Sequence, residues 1–330
     1  MPSTPRRRPT SMDVAREAGV SRSTVGFVLN NTPGQTISAK TREKVLDASI
    51  RIGYVPSAEA RSLRRGRSDL VLLYLGSGLP LVAEVAPYVE HLAAGFAANG
   101  LTLLVHPHPP ARMGQAWPAV TPDAVMGVRF TENQIVEMRQ LGIPVVVSMA
   151  SGSDPLAKWM LGPREDTTAR RQVQRLVDTG HRHLAYVRPH DPRLAEASEH
   201  RLRALSRACL NLGLDRPVPI RISDTANTDA NVIWRSAHPA ISGICAHDEA
   251  AAVAVLSVMS QENLSAPDDI AVVAVGNSPI AMFTDPPLTT IEVDWAETAH
   301  YAVEVVMAAI KGRPVGPPPD VSRLIVRASG

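Results

Sequence analysis

Residues 10–25 leave little freedom in how this chain begins. Thr10-Ser11-Met12-Asp13-Val14-Ala15-Arg16-Glu17-Ala18-Gly19-Val20-Ser21-Arg22-Ser23-Thr24-Val25 has the pattern of a helix, a tight turn and a second helix. Ser11 is the expected cap of the first helix, because its hydroxyl can accept a backbone N–H that has no partner inside the helix. Val14, Ala15 and Ala18 share one face at helical spacing. Gly19 supplies the turn and Ser21 caps the second helix, whose buried face is Val25, Val28 and Leu29. Arg22, Ser23, Phe27 and Asn30 then lie largely on the opposite side, where a recognition helix presents residues to the major groove. An ordinary helical hairpin has the same apolar spacing, so this segment alone leaves both readings open.

The next segment adds a third helix, opening at Ser38 and running to about Ile52. Ser38 is its expected cap, and Val45, Ala48 and Ile52 form an apolar stripe. Gly53-Tyr54-Val55-Pro56 ends it. Ser57 to Arg65 is a further helix-compatible stretch, with Ala60 and Leu63 three apart.

These motifs together resemble the lactose-repressor/galactose-repressor (LacI/GalR) family of bacterial transcription regulators. The residues that carry the resemblance are Asp13-Val14-Ala15, Ala18-Gly19-Val20-Ser21, Thr24-Val25, Val28-Leu29-Asn30, Ser38 with Thr41-Arg42, Gly53-Tyr54 with Pro56, and Ala60 with Leu63. Their order and spacing are specific as a set, though none is so singly. The resemblance continues more weakly through Gly180-His181-Arg182-His183-Leu184-Ala185, Pro267-Asp268-Asp269-Ile270, Pro287-Leu288-Thr289-Thr290-Ile291 and Arg327-Ala328-Ser329.

Charge divides the chain in the same way. Residues 1–67 hold 13 Lys/Arg against 5 Asp/Glu, a net of +8, while the remainder holds 21 against 27, a net of −6. A basic head on an acidic body suits phosphate neutralisation by one end only. The excess extends beyond Arg6-Arg7-Arg8 to Arg61, Arg64, Arg65 and Arg67. Cys209 and Cys245 give neither a disulfide framework nor zinc spacing, which fits a reducing cytosol. No apolar segment follows the basic amino terminus as in a secretory signal, and no apolar run has transmembrane length. A cytoplasmic protein with no membrane partner is expected.

Beyond Gly66 the pattern becomes an alternation of strands and helices. Strands are expected at 70–75, 101–106, 124–128, 145–148, 184–187, 241–246 and 270–275. Helices are expected near 82–99, 132–141, up to 179, 201–212, 249–262 and 295–311. Such alternation predicts doubly wound parallel sheets, and two series of it predict two lobes, with ligands beyond the carboxyl ends of the strands. The fold class expected is therefore α/β: an all-α helix-turn-helix head and hinge helix, then a two-lobed core like a periplasmic binding protein. The expected division is residues 1–56 for the head, 57–67 for the hinge and 68–330 for an effector-binding and dimerisation domain.

An enzyme is a poorer reading of the body. Gly76-Ser77-Gly78 follows a strand, but Leu81 stands where a dinucleotide fingerprint needs its third glycine. His106 with His108, and His181 with His183, lack ligands at metal spacing. No Gly-x-Ser-x-Gly elbow surrounds Ser148, Ser151 or Ser153. No cofactor, metal or catalytic residue is expected.

The resemblance implies which residues touch DNA: Ser11, Ser21, Arg22, Ser23, Thr24, Phe27, Asn30, Ser38 and Tyr54 in the head, and Ala60, Leu63 and Arg64 in the hinge. Arg22 can address guanine or a phosphate, and Ser23 can bond either base type. The family often has serine and arginine where this chain has Gly26 and Phe27. Phenylalanine can pack on a thymine methyl or turn inward, and the half-site should differ from the family's familiar ones. Leu63 corresponds to a hinge leucine that wedges into the minor groove at the centre of a palindrome; packing against the body is the alternative.

The resemblance likewise implies an effector site at Leu81, Asp166, Arg201, His247, Asp248 and Asn277, with Gly276. Departures here are several. Leu79-Pro80-Leu81-Val82 replaces a frequent Asn-Pro-Phe-Phe, His247 a frequent asparagine, and Ala274-Val275-Gly276-Asn277 a frequent Gly-Phe-Asp-Asp/Asn. An acidic side chain that often binds sugar hydroxyls is thus absent, and aromatics are only 4% of the chain, so stacking platforms for a sugar ring are few. A sugar becomes a poorer fit than a less hydroxylated metabolite or an anion held by Arg201. The function expected is a sequence-specific regulator, a repressor, bound as a homodimer to a palindromic operator in double-stranded DNA and modulated by a small molecule. The absence of an appended heptad segment favours a dimer over a tetramer. The alternative is a small-molecule-binding protein whose head has degenerate DNA specificity.

Overall fold

The computed structural model describes residues 9–30, 32, 34–54, 67–75, 85–106, 121–127, 130–148, 162–221 and 241–330, without the side chains of 162–164. The chain divides into two compact units, Met1–Ser68 and Asp69–Gly330.

The first unit contains α1 (Ser11–Ala18), α2 (Arg22–Leu29) and α3 (Ala39–Ile52). The cap of α1 is Thr10, which corrects the assignment to Ser11. Asp13 decides the register: its carboxylate accepts the Thr10 N–H at 2.8 Å, while Thr10 Oγ1 receives the Asp13 N–H at 3.4 Å. This reciprocal box requires a partner three residues on, which Thr10 has in Asp13. Gly19 closes α1 in the left-handed region at φ 65°, where a Cβ would be strained. Ser21 and Ser38 cap α2 and α3 as expected, accepting the N–H of Thr24 at 3.1 Å and of Thr41 at 3.2 Å. Val14, Ala15, Val25, Val28, Val45 and Ala48 form the core, flanked by Ala18, Val20, Leu29, Ile37, Ile52 and Tyr54.

The second unit holds two sheets. The first is β1 (Leu70–Tyr74), β2 (Thr102–His106), β3 (Ala124–Gly127) and β4 (Val145–Ser148), in the order β2-β1-β3-β4 with every pair parallel. Its helices are α4 (Val85–Ala98) and α5 (Glu132–Gln140). The second contains β5 (Leu184–Val187), β6 (Val218–Ile220), β7 (Gly243–Ala246), β8 (Ala271–Val275), β9 (Thr289–Val293) and β10 (Ser322–Ile325), in the order β10-β9-β8-β7-β5-β6. Only β10 runs antiparallel. Its helices are α6 (Gly162–Asp178), α7 (Ala195–Asn211), α8 (Glu249–Gln261) and the short α9 (Ile280–Phe283).

The chain passes between the sheets more than once. After β9, α10 (Trp295–Ile310) returns to the first sheet, where Ala299, Ala302, Val303 and Val306 join Val71, Leu73, Leu92, Phe96, Met126 and Val147 in one core. A Cβ on Gly95 of α4 would stand 2.9 Å from Val303 Cγ2, so glycine permits that approach of α4 and α10. The chain then returns to pair β10 with β9. Both faces of the second sheet are covered, by Val173, Leu205, Tyr186 and Cys209 on one side and by Ile244, Ala252, Val255 and Val272 on the other.

All the strands expected from apolar runs form. Three were not anticipated, namely β6, β9 and β10. β9 opens with two buried threonines; Thr289 Oγ1 donates to the Gly330 carbonyl at 2.8 Å. β10 is Ser-Arg-Leu-Ile, and β6 carries Pro219 on a sheet edge, where a missing N–H costs nothing. The closing residues fasten the sheet: the buried Ser329 donates to Val272 O at 2.7 Å and receives the Thr289 N–H at 2.8 Å.

Candidate functional sites

On the head, Arg22 and Ser23 are exposed on the first turn of α2. Arg22 Nε donates to Ser11 Oγ at 3.2 Å, so Ser11 supports that arginine across the turn. Ser21 Oγ lies 2.7 Å from Ser23 Oγ and 2.8 Å from Thr24 Oγ1, a hydroxyl cluster at a helix start. Phe27 is half-buried and lies outside the head's core cluster. Asn30 closes α2 by donating its side-chain amide to Gly26 O at 2.6 Å. Tyr54 packs its ring against the core. Ala60, Leu63 and Arg64, and Leu81 of the body, lie outside the described residues.

In the body, the carboxyl ends of the adjacent strands β5 and β7 lead into Arg188 and His247, and β8 leads into Gly276. Around the first two lies a buried polar group. Arg201, 6% exposed on α7, pairs through Nε with Glu165 of α6 and reaches the His247 carbonyl at 3.4 Å. His247 Nδ1 is 2.7 Å from the Tyr186 hydroxyl, which donates to the buried Ser198 Oγ at 3.2 Å. Burial, reinforced by the Arg201 charge, pushes the His247 pKa down to about 3. Burial pushes the Tyr186 phenol up to about 12, so it keeps its proton.

Asp248 caps α8 by accepting the Ala251 N–H at 2.7 Å. Burial raises its pKa, against the opposing pull of that N–H and of Arg201. Glu249, 5% exposed, accepts the Ser278 N–H at 2.8 Å and the Ser278 hydroxyl. A Cβ on Gly276 would stand 3.1 Å from the Glu249 carboxyl carbon, and φ there is +118°, so an acidic side chain at 276 would be strained and would crowd Glu249. A carboxylate nonetheless lies beside that position, contributed by Glu249.

The structure therefore gathers Arg201, His247 and Asp248. Asp166 is exposed and pairs with Arg207. Asn277 is exposed, donates to Glu292 at 2.8 Å and accepts from Arg327 at 2.6 Å. Glu165, Tyr186, Ser198 and Glu249 escaped the sequence reading. Glu165 adjoins Asp166, and a single helical step moves a side chain about 100° around the axis. Tyr186 reads as one more residue of an apolar strand. Among the described residues no cluster of His, Cys, Asp or Glu could hold a metal ion, and no helix is long and apolar enough to cross a membrane.

Residues 10–57 match the family described as bacterial regulatory proteins, lacI family, and residues 173–330 match the periplasmic binding protein-like domain. The chain is 30% identical over 318 residues to the HTH-type transcriptional repressor PurR of Vibrio campbellii, covering 92% of each. It is 26% identical over 355 residues to the HTH-type transcriptional regulator CelR of Thermobifida fusca, covering 98% of this chain and 99% of the other. Among solved structures, the Lac repressor dimer bound to operator and the anti-inducer ONPF superposes with a TM-score of 0.75 at 19% identity, covering 98% and 99%. That likeness shows the two-lobed fold with its helical head.

Proposed function

The chain belongs to the lacI family of bacterial regulatory proteins, and from that premise we propose that it is a cytoplasmic repressor that binds a palindromic operator as a homodimer. In this reading residues 1–56 bind DNA, 57–67 form the hinge, and 68–330 bind an effector and dimerise. The observation that carries it is the start of α2, where exposed Arg22 and Ser23 stand on a capped helix of a head with net charge +8. Donors at that end of a recognition helix can reach base edges, and the surrounding charge can neutralise phosphates. Leu63 is the minor-groove wedge and Ala60 lets two hinge helices meet. Arg61, Arg64 and Arg65 contact phosphate.

The effector site is the polar group around Arg201, His247 and Asp248 at the carboxyl edge of the second sheet, the usual place for a ligand in such sheets. Leu81, Asp166 and Asn277 are the further effector-binding candidates that the resemblance implies. The missing acidic side chain at Gly276 and the shortage of aromatics speak against a sugar. The reading includes no catalytic step.

Enrichment of sites from random duplex DNA by the full chain, at two salt concentrations, tests this reading. The expected outcome is one palindrome. Affinity for it should fall steeply with salt, by roughly 10³-fold between about 50 and 200 mM for about six phosphate contacts. Salt-sensitive binding with no enriched sequence would instead favour a small-molecule binder with a degenerate head, the reading that the Gly26-Phe27 departure supports.

A further inference from the structure

The buried group around His247 also fixes which hydrogen-bonding role that ring offers. Tyr186 has one hydroxyl proton and two polar neighbours, Ser198 Oγ at 3.2 Å and His247 Nδ1 at 2.7 Å. The contact with Ser198 has the geometry of a phenol donating to the serine oxygen. The phenol proton is then spent, and the phenol oxygen can only accept from the imidazole. A neutral imidazole carries one N–H, and with the phenol proton directed at Ser198 that hydrogen is assigned to Nδ1. The ring stays neutral because it is buried beside the Arg201 guanidinium. Its Nε2 has no hydrogen-bond partner among the described residues.

The geometry points to a ligand-reading device: Tyr186 and Ser198 hold His247 as the Nδ1–H tautomer, so that Nε2 faces the effector as an acceptor, and the effector is a neutral molecule that brings a hydroxyl, amine or amide hydrogen to it. This rests on the effector-site reading above. Charge around the ring agrees with a neutral ligand. Arg201 is paired with Glu165, and the buried Asp248 carboxylate also feels the Arg201 charge. A carboxylate opposite Nε2 would meet a lone pair, with the Arg201 guanidinium already matched by Glu165. Tyr186 is a positioning residue here, since it acts on the ligand through His247.

The test is nitrogen NMR of the full chain labelled at its 10 histidines, with the His247 signals identified by their loss in His247→Asn. It uses neither DNA nor effector, so its failure would leave the regulator reading standing. The expected result is a non-protonated, downfield Nε2 and a protonated Nδ1. A protonated Nε2 in the wild type overturns the proposal. In Ser198→Ala the phenol proton is released toward the ring, and the Nε2–H tautomer should become the larger population; an unchanged tautomer there also overturns it. Tyr186→Phe removes the acceptor and should give a mixture.

The ligand class is read on the same signal with acetamide and acetate, near-isosteres of which only acetamide is neutral and a donor. Acetamide should shift Nε2 upfield and acetate should leave it in place. An equal or larger shift with acetate, or no response to either, overturns the assignment of ligand class.

Discussion

At Arg201 a positive charge is buried in the company of another group's negative one. Taking two charges out of water is costly, and removing one partner leaves the other without compensation. Arg201→Ala should therefore destabilise the body by about 3 kcal/mol in urea denaturation, and Glu165→Gln in the same chain should restore part of that. Stability equal to wild type would mean that the pair has no structural part. Loss of ligand binding in Arg201→Ala is for this reason no proof of contact. His247 makes a second prediction. Its pKa is pushed down to about 3, whereas in the unfolded chain it titrates near 6.5. Between those values the unfolded state binds a proton that the native state does not. Stability is then complete above about pH 6.5 and falls toward pH 3 by about 1.4 kcal/mol per unit. Thermal midpoints measured from about pH 7 to pH 5 should fall more steeply in wild type than in His247→Asn; parallel profiles would contradict a buried neutral ring.

Among the elements, the start of α1 separates two adjacent hydroxyls that the sequence alone leaves equivalent. Thr10→Ala removes the cap and should cost about 1 kcal/mol, while Ser11→Ala should leave the helix nearly unchanged. Native-state hydrogen exchange of the α1 amides distinguishes them, and the reverse order would return the cap to Ser11. On α2, Phe27 lies outside the core cluster, so Phe27→Arg should fold and alter the preferred base in site selection. The same preference in both proteins would remove residue 27 from the readout. The longer helices and most strands were legible because apolar period and capping residues are local signals. Val71-Leu72-Leu73-Tyr74 announces a strand buried on both faces. Thr289 does not, because its burial depends on acceptors supplied 38 to 41 residues later by Arg327 and Gly330.

For the whole molecule, the proposed homodimer has a candidate face on α9. Phe283 is 81% exposed, with Met282 and Ile280 about half exposed beside it. Exposed apolar side chains grouped on one short helix suit an association site, and a second copy of this chain is the occupant that the dimer reading supplies. Phe283→Glu should shift the sedimentation of the full chain from dimer toward monomer and weaken operator binding. A dimer of unchanged strength would place the interface elsewhere.

The sequence by itself determined the helical head, the parallel α/β body and the family, since each is written in residues close to one another along the chain. It also placed Arg201, His247 and Asp248 among the candidates. Only the tertiary structure decided that Glu165 rather than Asp166 meets Arg201, that Tyr186 and Ser198 stand behind His247, and that Glu249 lies against Gly276. Those pairings join α6 to α7, β5 to the end of β7, and α8 to the end of β8. Each is set by how helices and strands pack around one sheet, a property that no local period or motif records.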